Sequence, residues 1–165
     1  MQQTIVITDL TTMGGDRVCI VGIGSQSRCI RPVLPPPGVR RRHLYIRKHI
    51  IFRKLAVYPR AKVKVKFRQV PLTPPHIEDL GFEPNSVAYQ GLCDDAEWEA
   101  VLKASSFRSV QDIYDGCLQE GRWVEPGANT RSLGTVSQVQ VISVNLQEWS
   151  GERRYRLYFK DETGH

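Results

Sequence analysis

The chain lacks any apolar run of the roughly 18 residues that a membrane-spanning helix needs. Its opening residues, MQQTIVITDL, carry neither the basic leader nor the apolar stretch of a secretory signal. No membrane partner is expected, and a cytoplasmic setting is. Cysteine is scarce, and its spacing excludes more than its number. Cys19, Cys29, Cys93 and Cys117 include no C-x-x-C pair and fit no zinc ribbon or finger. Cys19 and Cys29 fall within the apolar runs VCIV and RCIRPV and read as small buried hydrophobes in a reducing compartment. A Cys19–Cys29 bridge between neighbouring strands is the lesser alternative. Neither G-x-x-x-x-G-K-[ST], nor G-x-G-x-x-G before a helix, nor G-x-S-x-G occurs. Nucleotide-cofactor folds and nucleophile-elbow hydrolases therefore have no support, and no cofactor is expected.

The most informative absence is of negative charge. From Arg17 to Arg68 there are fifteen Lys and Arg and no Asp or Glu, a segment charge of +15. From His76 to Ala128 there are eleven acids against three bases (Lys103, Arg108 and Arg122), a charge of 3 − 11 = −8. Charge of one sign at this density repels itself unless an anion lies nearby. The acidic middle of the same chain can offset only part of it. An external polyanion, nucleic acid first, is thus the expected partner. No basic amphipathic helix with a Trp or Phe face accompanies the charge, which argues against an anionic membrane surface.

What is present is β-rich. The thirteen glycines and ten prolines punctuate the 165 residues into short elements. TIVIT (4–8), RVCIVGI (17–23) and RCIRPV (28–33) read as three strands joined by tight turns, a meander that opens small barrels. Pro32 and the run Pro35-Pro36-Pro37-Gly38 are expected to end the third strand. Residues 39–54 fit strand or helix equally. In 61–70, Val63, Val65 and Phe67 alternate with Lys62, Lys64, Lys66 and Arg68, giving one buried and one cationic face. PLTPPH (71–76) marks the boundary between halves. DDAEWEAVLKAS (94–105) reads as a helix with acids in its first turn. A second short helix spans 109–117 with Ser109 as N-cap, and 136–146 and 154–160 are closing strands. The fold class is mainly β, with short helices in the second half.

Four constellations bear on function. The row Lys62, Lys64, Lys66 and Arg68 sets cations about 6.6–6.8 Å apart along a strand, close to the phosphate spacing of an extended single strand. Tyr45, Phe52 and Tyr58 are nearby stacking surfaces of the kind that single-strand grooves use. An edge strand protected by lysines is the competing reading. Arg40, Arg41 and Arg42, after the proline-rich loop, suit phosphate contact. Arg28 and Arg31 lie on opposite faces of one strand, for contact or for an ion pair. His76, Glu78 and Asp79, with Asp94 and Asp95 beyond, are the sole temptation toward a metal-dependent hydrolase or nuclease. They read first as a boundary turn whose carboxylates accept backbone N–H bonds. A third function class is a protein-interaction subunit, its acidic middle (Asp94, Asp95, Glu97 and Glu99) meeting a basic partner. A homo-oligomer also remains open.

The ordered set TDL, GGDRVCIVGI, RCIRPV, PPHIED, SLGTV and RYRLYFKDETG resembles the dual OB-containing domain family of bacterial proteins, across nearly the whole chain. The resemblance implies two small OB-like barrels in tandem. The first is basic and spans 1–72. The second spans 73–165, with an acidic helical insertion at about 94–118. The family continues with a further strand after F-x-D-x-x-G, so the second barrel is expected to be incomplete here or closed by another subunit. The resemblance further implies nucleic-acid binding and an association with prokaryotic genome-conflict (antiphage) systems. It brings no catalytic residues. Its matching positions, among them Arg31, Glu78, Asp79, Leu133, Gly134 and Asp161, fit architecture as readily as contact.

Overall fold

A computed structural model describes residues 1–12, 17–34, 44–45, 57–71, 76–128, 131–149 and 151–164. In its first half, β1 (Gln2–Thr12), β2 (Arg17–Ile23), β3 (Cys29–Val33), β5 (Ala61–Arg68) and β6 (Asp79–Phe82) close into a five-stranded barrel. The order around it is β1-β2-β3-β6-β5 and back to β1. Neighbours run antiparallel except β3 and β6, which are parallel. Closure depends on the length of β1. Its Gln2–Val6 stretch pairs with β5, and Val6–Thr12 pairs with β2, so one strand serves two neighbours. This arrangement is consistent with the OB-like expectation. A two-residue strand β4 (Leu44–Tyr45) adds to β2, and β7 (Ala88–Leu92) adds to the outer edge of β5.

The barrel fills itself by period-two alternation. Ile5, Ile7, Val18, Ile20, Ile30, Val63, Val65, Phe67, Leu80 and Phe82 are all buried in one cluster. Each such side chain contributes about 1.5–3 kcal/mol by leaving water. Gly22 is required here, because a Cβ on it would lie 2.9 Å from the Ile5 Cδ1 atom.

Two expectations need correction. The fifth barrel strand, Asp79–Phe82, lies beyond residue 72, where the sequence reading ended the first barrel. DLGF is too short to show a period and is buried at every position, so it carries no alternation to read. Pro32 lies inside β3 rather than ending it, opposite Leu80 in the parallel pair.

The second half is built differently. Helix α1 (Asp95–Ser105) starts at a capping box. The Glu97 backbone N–H donates to Asp94 Oδ1 at 2.7 Å, and the Asp94 N–H donates to Glu97 Oε2 at 3.2 Å. Helix α2 (Val110–Ile113) is shorter than the expected 109–117, although Ser109 is its N-cap as read. Left-handed backbone at Asp115 and Gly116 follows its end. Strand β8 (Ser106–Phe107) pairs in parallel with β9 (Thr135–Val136), and β10 (Gln140–Trp149) pairs with β11 (Glu152–Lys160) as a long antiparallel ribbon. Among the described residues these strands form two two-stranded sheets and do not close into a second barrel.

Candidate nucleic-acid interface

The outer face of β5 places the four predicted cations in one row. Ala61, Val63, Val65 and Phe67 point inward and are buried, while Lys62, Lys64, Lys66 and Arg68 point outward. Neighbouring strands set what stands beside each cation. Lys62 lies between Val6 and Gly91, Lys64 between Thr4 and Ala88, and Lys66 beside Gln2. Lys64 therefore rises from a bed of short side chains.

The chain's own acids reach part of this row. Lys62 Nζ donates to both carboxylate oxygens of Glu97, at 3.0 and 2.9 Å. That hydrogen bond raises the Lys62 pKa and lowers that of Glu97. One turn earlier, Arg60 pairs with Asp95 and lies over the Trp98 ring, 5.7 Å from its centroid. Arg60 adopts a left-handed backbone (φ 76°), with its N–H on the Ile7 carbonyl and its own carbonyl receiving the Cys93 N–H. This stitch places the start of α1 against the barrel. Lys66 pairs with Glu83 at 3.2 Å, both side chains about half exposed. Among the described residues, Lys64 and Arg68 have no carboxylate partner. The acidic middle, read as a docking surface for a basic partner, thus already meets basic residues of its own chain through Asp95 and Glu97.

The expected stacking residue Tyr58 instead packs against the barrel core, next to Tyr89. The Tyr58 and Tyr89 hydroxyls are 3.3 Å apart, which raises the Tyr89 pKa, and the Tyr89 ring is exposed on the edge strand β7. Tyr89 pairs directly with Val63, so it lies on the inward-facing side of β5 and not on the cationic side. Tyr45 sits on β4 opposite Arg17, on a different strand pair from the row. Arg40, Arg41, Arg42 and Phe52 lie outside the described residues.

Arg31, His76, Glu78 and Asp79 serve the architecture. Arg31 Nε donates to Asp79 Oδ1 at 2.6 Å across the parallel β3–β6 pair, and Asp79 is buried. Glu78 is only 3% exposed. Its Oε1 accepts the backbone N–H groups of Ser132 (2.7 Å) and Leu133 (3.1 Å), and its Oε2 accepts the Ser132 hydroxyl at 3.0 Å. His76 Nδ1 shares that hydroxyl at 2.9 Å. Both carboxylates are thus turned toward protein groups, and among the described residues no three His, Cys, Asp or Glu side chains converge as metal ligands. Arg28 is exposed at the mouth of a cleft of about 320 Å³ that Glu78, Phe107 and Leu133 also line.

All four cysteines are free. Cys19, Cys29 and Cys117 are half-buried rather than buried, and Cys93 is buried. Burial pushes the Cys29 thiol up to about 12, and raises Cys19 and Cys93 as well. No protein-family model, curated protein or solved structure matches the chain.

Proposed function

We propose that the protein binds nucleic acid along the outer face of β5, gripping the phosphate backbone of an extended strand rather than reading bases. One observation carries this reading. Among the described residues Lys64 and Arg68 stand outward without carboxylate partners, in a row where Lys62 and Lys66 pair with the partly exposed acids Glu97 and Glu83, which a phosphate can displace. Contacts of this kind position a strand and carry little sequence information.

In this reading the barrel is OB-like, and the second half is a second, incomplete OB-like unit. The β3–β6 ion pair and the Glu78 cradle then hold the barrel and the 131–133 segment in place instead of doing chemistry. The resemblance to the dual OB-containing domain family points to the same activity.

The test is fluorescence anisotropy with labelled single-stranded and duplex DNA and RNA across a salt series. The expected result is single-strand binding whose log affinity falls linearly with log salt, weakened in a Lys64→Ala/Arg68→Ala double variant. Absence of binding to all four probes at low salt would retire the proposal.

A further inference from the structure

The β10–β11 ribbon has two unlike faces. Its register places Val141 opposite Phe159, Val144 opposite Leu157, Leu146 opposite Tyr155 and Glu148 opposite Arg153, all on one face. The other face carries Ser143 with Tyr158, Asn145 with Arg156, and Gln147 with Arg154. Arg156 Nε there donates to Gln147 Oε1 at 3.1 Å. A shift of register between Val141 and Ser143 keeps Val141 on the apolar side.

Among the described residues the apolar face is covered only at its root. Phe159 is half-buried, and with Leu157 it lines a cleft closed by Val110, Gln111 and Leu118. Outward from there the face lies open. Val144 is 59% exposed, Leu146 51%, Leu157 55% and Tyr155 77%. A two-stranded ribbon with an apolar face in water is marginal alone, and a stripe of this kind marks an interaction surface.

We infer that this face is the contact of a symmetric dimer, in which the apolar faces of two ribbons pack on each other. The charge at its outer end selects a second copy as the occupant. The stripe ends at Glu148 and Arg153, paired at 2.9 Å and well exposed. A two-fold axis parallel to the strands, midway between two facing ribbons, lays β10 of each copy over β11 of the other at equal height. Glu148 then meets the second copy's Arg153 and Arg153 meets its Glu148. Leu146 covers Tyr155, and Val144 covers Leu157. The arrangement is self-complementary in both shape class and charge, as an isologous contact must be. Each copy would remove on the order of 500 Å² from water, a total near 1,000 Å² at the low end of specific interfaces. Self-association is therefore sought at micromolar concentrations and above.

Sedimentation velocity of the full chain across a micromolar concentration series, without nucleic acid, tests this separately from the binding proposal. The wild type is expected to pass from monomer to dimer. Glu148→Arg alone and Arg153→Glu alone each place like charges at the rim and should weaken self-association roughly tenfold. An equimolar mixture of the two variants should restore the dimer, since an all-positive rim then faces an all-negative one. Pairing within one chain cannot produce that rescue, and both positions are too exposed for the swaps to unfold the protein. Tyr155→Asp should also leave a monomer. A wild type that stays monomeric throughout, or variants that fail to recover association on mixing, would overturn the inference.

Discussion

The barrel and the ribbon-bearing half reach order by opposite means. Among the described residues, every buried hydrophobic except Cys93 and Ile113 lies between Ile5 and Val70 or in the strand Leu80–Phe82. The second half is instead tied by buried polar groups. Asp161 accepts the Val110 N–H at 2.8 Å and the Thr163 N–H at 2.9 Å. Ser109 caps α2, and Glu78 holds Ser132 and Leu133. Arg131 donates to the Ile113 carbonyl at 2.6 Å and lies over Phe107. A closed sheet needs only one apolar face per strand. Short strands and helices that share no core need specific acceptors for their stray N–H groups. The difference shows why Arg31, Glu78, Asp79 and Asp161 are charged yet structural.

The contrast is broken or sharpened first by truncating one residue in each half. Phe67→Ala removes a ring that is 2% exposed and is expected to cost about 3–5 kcal/mol in denaturant unfolding. Leu146→Ala, measured at concentrations where the chain is monomeric, should stay within about 0.5 kcal/mol. Equal costs would mean that the ribbon has a core of its own. Next, Glu78→Ala leaves the half-buried Ser132 and Leu133 N–H groups without their acceptor and should cost about 1–3 kcal/mol. Hydrogen exchange should then accelerate at Arg131–Ser137 while β1, β2 and β5 keep their protection. Loss of protection in the barrel strands would show that the two halves do not separate in this way.

The smallest of these effects concerns Cys29, whose thiol lies near 12 against an ordinary 9.0 because it is desolvated. Its folded pKa lies above the unfolded one, so this contribution to stability is intact below about pH 9 and declines as pH rises toward 12. Native protein treated with an alkylating agent at pH 8 should label Cys29 far more slowly than the unfolded chain does, by mass spectrometry, because little of its thiol is ionised. Equal rates in the two states would contradict the raised pKa.

Much of the barrel was legible because alternation is a strong signal. The strands at 17–23, 29–33 and 61–68 follow their apolar period, and Asp94 with Glu97 announced the start of α1. The expected closing strands at 136–146 and 154–160 extend further toward each other, leaving a tighter turn with Gly151 in left-handed backbone. Strand β6 was not legible, since four buried residues carry no period. Strand β7 was not either, because AYQGL gains its place from pairing with β5. The cation row was readable, but its partners were not. Glu97 lies 35 residues from Lys62, and nothing local to either residue states that they meet. The pairing of Arg31 with Asp79 likewise depends on the parallel β3–β6 register, a long-range fact.

The central claim, that the outer face of β5 is a phosphate track partly occupied by the chain's own acids, is tested most directly by Glu97→Gln. Glutamine can keep the capping box of α1 while removing the negative charge held against Lys62. The measurement is the affinity of this variant for single-stranded DNA across a salt series, beside the wild type. The account predicts tighter binding, with a log–log salt slope steeper by about 0.7 as one more cation engages a phosphate. Unchanged or weaker binding would contradict it, and would mean that Lys62 and its neighbours serve the fold alone.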